Sequence, residues 1–66
     1  MDRIRQVATI LDFIGNHPES YASLAVCRRA LDPGLAHVNR DILFELEDYL
    51  EEASGEEIAA FYSIVG

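Results

Sequence analysis

Between Leu35 and Ala53 the apolar residues Leu35, Val38, Ile42, Leu46, Tyr49, Leu50 and Ala53 recur at intervals of three or four. Side chains at that spacing share one side of a 3.6-residue helix, whereas a strand would turn alternate residues to opposite faces. The spacing predicts a third helix over 35–53. At that length, about 28 Å by the 1.5 Å rise, it is the longest element and the spine on which the others pack.

The flanking segments carry the same period. Ile4, Val7, Ala8, Leu11 and Ile14, with Ile10 widening the stripe, predict a first helix over 2–14. Asp2 is placed to cap it, and Gly15 is placed to supply a left-handed exit. Gly15-Asn16-His17-Pro18 reads as a turn. Pro18 suits the first position of a second helix over 18–30, because it has no amide hydrogen to leave unpaired. That helix presents Tyr21, Leu24, Cys27 and Leu31 on one side. Ala22, Val26 and Ala30 lie on the other, small enough for a second helix to approach. Asp32-Pro33-Gly34 breaks the chain, with Asp32 either ending one helix or capping the next. Ser54-Gly55-Glu56-Glu57 matches a reciprocal capping box and opens a fourth helix over 55–64, with Ile58, Phe61, Tyr62 and Val65 on one face. The expected fold is all-α: one domain over 1–66, a compact bundle of four short amphipathic helices.

The chain has 66 residues, half of them apolar, and one cysteine. Neither an intrachain disulfide nor a zinc ligand pair is available, so packed apolar side chains must supply the stability. No apolar run approaches the ~20 residues of a membrane span, and the first residues lead into an amphipathic stretch and not a signal-peptide core. The expected location is cytoplasmic, away from membranes.

Charge is distributed unevenly. Residues 1–40 carry a net charge of +1, and residues 41–66 carry −8 without a single base. An acidic surface repels phosphate and anionic lipid, which argues against direct nucleic-acid or membrane binding and favours a basic protein partner. A DNA-reading helix-turn-helix would want its recognition helix basic, and the longest helix here is acidic. An acyl carrier is also acidic and four-helical, but the Asp-Ser-Leu attachment motif is absent and Glu19-Ser20-Tyr21 does not replace it.

No motif in the chain specifies a reaction. The carboxylates Glu45, Glu47, Asp48, Glu51 and Glu52 follow one another along a convex helix, whereas general acid work needs a concave site that shifts one pKa. They also lack the Asp/Asn alternation with glycine of a calcium loop. His17 and His37 have no second His or Cys at ligand spacing, Cys27 reads as a small buried hydrophobe, and no cofactor or metal is expected. Arg28 and Arg29 are placed to pair with the acidic helix.

Phe44 lies about 180° from Leu35 on a wheel of 100° per residue, among Arg40, Asp41, Glu47, Asp48 and Glu51. It is either an aromatic anchor ringed by carboxylates or a side chain packed beneath the first or second helix. Phe13 raises the same question. If both were exposed, they would form an apolar patch that calls for a homodimer or a partner.

These residues define two expectations. One is a non-enzymatic protein-binding module of the inhibitor, immunity-protein, antitoxin or regulator kind. Its acidic third and fourth helices would engage the surface of a basic protein partner, a nucleic-acid-handling protein being one candidate, through Phe44, Glu47, Asp48, Glu51 and Asp41. The other is a self-assembling homo-oligomer, a homodimer in the simplest case, whose acids serve only to solubilise it.

Overall fold

The structure, a computed structural model, describes residues 2–66. It is a compact all-helical bundle of α1 (Arg3–Asn16), α2 (Tyr21–Ala30), α3 (Arg40–Glu52) and α4 (Gly55–Val65), with no strands among the described residues. Its accessible surface of 4382 Å² compares with about 4200 Å² for a typical folded monomer of this mass. No helix among the described residues is long and apolar enough to cross a membrane.

The core draws evenly on the four helices. Ile10 and Ile14 from α1, Val26 and Cys27 from α2, Leu46 and Leu50 from α3, and Ile58 and Phe61 from α4 are fully buried, and Ala53 closes the joint between α3 and α4. α1 packs on α3 and α4, and α2 packs on the same two helices. The most extensive of these contacts joins α1 to α4, so the expected spine role of the third helix is not observed. α3 is also shorter than expected, at 13 residues against 14 for α1.

Each change of boundary has a local cause. α1 runs through Gly15, which has no positive φ, and ends before His17, because Pro18 excludes its predecessor from the helical region. The stop signal is therefore Pro18 and not Gly15. The expected N-cap Asp2 is in place, its carboxylate accepting the Ile4 amide at 3.0 Å.

α2 starts three residues later than expected, because the hydroxyl of Ser20 accepts the Ser23 amide at 3.1 Å and competes successfully with Pro18 as the starting point. The Ser23 hydroxyl then donates to the His17 carbonyl at 2.6 Å, which lets this polar side chain sit fully buried. The buried face of α2 centres on Ser23, Val26 and Cys27. Tyr21, expected to face inward, is 82% exposed.

Residues 35–39 are not helical. Asp32 ends in a turn with Pro33 at its second position: its carbonyl accepts the Leu35 amide and its carboxylate accepts the Gly34 amide. Leu35 and Val38 still pack on the core, which is why they mimic the stripe of the helix that follows. α3 begins only after Asn39, whose side chain accepts the Ile42 amide at 2.9 Å.

Close approaches at both ends show the antiparallel pairing of α1 and α3. The Arg3 guanidinium donates to the carbonyls of Leu50 and Glu51, at 3.1 and 2.8 Å, in the last turn of α3. At the other end, a Cβ on Gly15 would lie 3.6 Å from Leu43 Cδ2. Arg3 thereby supplies the positive charge that the C-terminus of α3 lacks, since its own last turn contains no base. Arg3→Met is expected to cost about 1 kcal/mol in urea unfolding and to speed amide exchange in the last turn of α3. Arg3→Lys, which keeps the charge and loses the two-carbonyl geometry, is expected to fall between wild type and Arg3→Met.

Candidate protein-binding face

The outward side of α3 carries all five residues singled out for partner contact. Asp41, Phe44, Glu47, Asp48 and Glu51 are exposed, and Phe44 leaves 60% of its surface in solvent. Helical spacing sets carboxylates three residues before Phe44 and three, four and seven after it, with Arg40 as the only base within one turn. Of the two placements open to Phe44, the structure adopts the solvent-facing one.

Phe13 goes the other way. It is half-buried against the core, its ring centroid 4.8 Å from that of His17, so no joint Phe13–Phe44 patch forms. Of the two arginines, Arg29 acts electrostatically on Tyr49 of α3 and Arg28 departs from expectation. Arg28 donates its Nε hydrogen to the Leu35 carbonyl at 2.7 Å, tying the 35–39 segment to α2 instead of meeting the acidic helix.

Phe44 has neighbours outside its own helix. With Leu43, Glu47 and Leu11 of α1 it lines a hollow of about 140 Å³. A second hollow of about 420 Å³ lies further along the same α1–α3 seam, between Arg3, Ile4, Val7, Leu50 and Glu51. Ile4 is 78% exposed there, and Ala8, between the two hollows along α1, is exposed as well. Sequence reasoning turned the whole stripe from Ile4 to Ile14 toward the core. The usable signal was Ile10: Ile10 and Ile14 occupy the buried direction, which leaves Ile4 and Ala8 at the outer margin of the stripe.

The fourth helix contributes less free charge than its sequence suggests. Ser54 caps it by accepting the Glu57 amide at 3.2 Å, but the Glu57 carboxylate takes the Tyr49 hydroxyl hydrogen. The reciprocal half of the expected capping box is thus replaced by a link between α3 and α4. Glu56 stays exposed.

No group of three His, Cys, Asp or Glu side chains among the described residues is arranged to hold a metal ion. Burial raises the Cys27 thiol above its ordinary pKa, the condition of an inert core thiol. No family model, curated protein or solved structure matches the chain.

The Tyr49 hydroxyl is held above its ordinary pKa, first by the hydrogen bond to Glu57, then by desolvation and by the Glu57 charge, with Arg29 acting in the opposite direction. A phenol raised in the folded state adds stability that is complete below the unfolded value of about 10 and fades as pH rises through the folded value. Thermal stability is therefore expected to fall more steeply above pH ~10 in wild type than in Tyr49→Phe. Absorbance at 295 nm is expected to show one late-ionising tyrosine that this variant lacks.

Proposed function

We propose that the protein is a non-enzymatic binding module whose acidic α3, with Glu56 at the start of α4, engages a basic surface on a protein partner. An inhibitor, immunity-like, antitoxin-like or regulatory protein acting on a nucleic-acid-handling partner fits this description, because carboxylates can occupy a cleft built for phosphate. The observation that carries the reading is the exposure of Phe44 inside a ring of Asp41, Glu47, Asp48 and Glu51. An aromatic side chain that reaches solvent among charges has the form of a buried-on-binding anchor, with the acids steering the encounter.

The position of the acids adds support. Glu51 and Glu52 stand in the last turn of α3, where the helix dipole disfavours negative charge and the balancing positive charge comes from Arg3 of α1 and not from α3 itself. A coat serving solubility alone has no need to occupy that turn. Self-assembly loses most of the residues it would draw on. Val26 is inside the core of the single chain, Ala30 and Phe13 pack against that core, and Ala22 is half-buried.

The double substitution Glu47→Lys with Asp48→Lys tests the proposal. Partner capture from host lysate is expected at low salt and to be lost at high salt for wild type. The variant is expected to lose at least about tenfold in affinity for the captured partner with its melting temperature little changed. Undiminished affinity of the variant at low salt would overturn the electrostatic reading.

A further inference from the structure

We infer that the seam between α1 and α3 is a groove that receives one amphipathic helix from a basic partner, which extends the contact face onto α1. The inference rests on the acidic-face reading above and adds the partner's secondary structure, its register and a second wall. Ile4, Val7, Ala8 and Leu11 of α1 form one side, and Leu43 and Phe44 of α3 the other.

Three observations converge on this occupant. The first is the spacing of the hollows. One centres near Ile4 and Leu50 and the other near Leu11 and Phe44, six or seven residues further along each helix, which is about 10 Å at 1.5 Å per residue. That matches the distance between side chains at i and i+7 on a docked helix, the anchor pattern by which amphipathic helices lie in grooves. The second is the floor, which is apolar and incompletely covered: Val7, Leu11 and Leu43 are half-buried, while Ile4 and Phe44 stand out at the two ends.

The third is the rim. Glu47 and Glu51 line the hollows from the α3 side, with Asp48 and Asp41 just beyond, whereas Arg3 is held by the α3 carbonyls. A helix with apolar anchors and Lys or Arg along the flank facing α3 is complementary to that rim. A second copy of this chain is a poorer occupant. Two-fold pairing through the seam would bring together the acidic faces of two chains that each carry a net charge of −7.

The test uses the full chain and a synthetic peptide of about four turns, with leucines at i, i+3, i+4 and i+7 and lysines on the flanks. A peptide of the same composition, reordered so that the leucine stripe is broken, is the control. Binding is followed by ¹H–¹⁵N shifts near physiological ionic strength. The ordered peptide is expected to move the signals of Ile4, Val7, Ala8, Leu11, Phe44 and Glu47, the reordered one to bind far more weakly. Ile4→Ser and Phe44→Ser are each expected to weaken the ordered peptide about tenfold.

Equal binding of the two peptides, or shifts confined to Asp41, Asp48 and Glu52 with Ile4→Ser binding like wild type, would overturn the groove and leave the acidic-face reading standing. Failure of the ordered peptide to bind would also overturn the groove, and the charge-reversal experiment would still decide the acidic face. Seam signals that move when the protein alone is diluted would assign the groove to a second copy and overturn the proposal.

Discussion

Eight apolar side chains, two from each helix, hold this fold together: Ile10 and Ile14, Val26 and Cys27, Leu46 and Leu50, Ile58 and Phe61. With no cross-link available to the lone buried Cys27, their packing is what fixes the helices relative to one another. A domain of this size has a net stability on the order of 3 to 10 kcal/mol, while truncating one large core side chain costs roughly 2–5. The even division follows from geometry. Each helix is wide enough to send only one narrow stripe into a core this small, so apolar residues just outside the stripe, such as Ile4 on α1, have nowhere inside to go.

The helix ends are secured by chemistry that costs the core nothing. Asp2, Ser20, Asn39 and Ser54 each accept an amide hydrogen from the first turn of their helix. Arg3 serves the far end of α3 across 47 and 48 residues of sequence. That last contact sets a positive charge against the C-terminus of the helix that carries Glu51 and Glu52. An acidic face can therefore extend over the full length of α3, with its dipole balanced from α1 and not from within.

Much of this was readable in the sequence, and the misses share a cause. Apolar period and capping residues identified four helices, and the angular offset of Phe44 from Leu35 marked it as lying off the core stripe while leaving open whether a neighbouring helix covers it. Gly15, Pro18 and Leu35 misled because each carries a local signal that a neighbour outcompetes: Pro18 over Gly15, Ser20 over Pro18, Asn39 over the run from Leu35. Ser23, which no apolar pattern marks, is buried while Tyr21 is exposed, because a buried hydroxyl is tolerated once it reaches a carbonyl, here that of His17. The α1 wall of the groove was not legible at all. Which margin of a broad apolar stripe faces solvent depends on where the partner helix lies, and that is a tertiary fact.

The exposure of the seam residues is available for binding only if those residues contribute little to folding. The direct measurement is thermal unfolding of the Ile4→Ser, Phe44→Ser double variant beside Leu46→Ala. The seam variant is expected to melt within a few degrees of wild type, while Leu46→Ala falls by at least about 8 °C or fails to fold. A seam variant as destabilised as Leu46→Ala would contradict the account, since Ile4 and Phe44 would then belong to the structural core and not to a surface kept open for a partner.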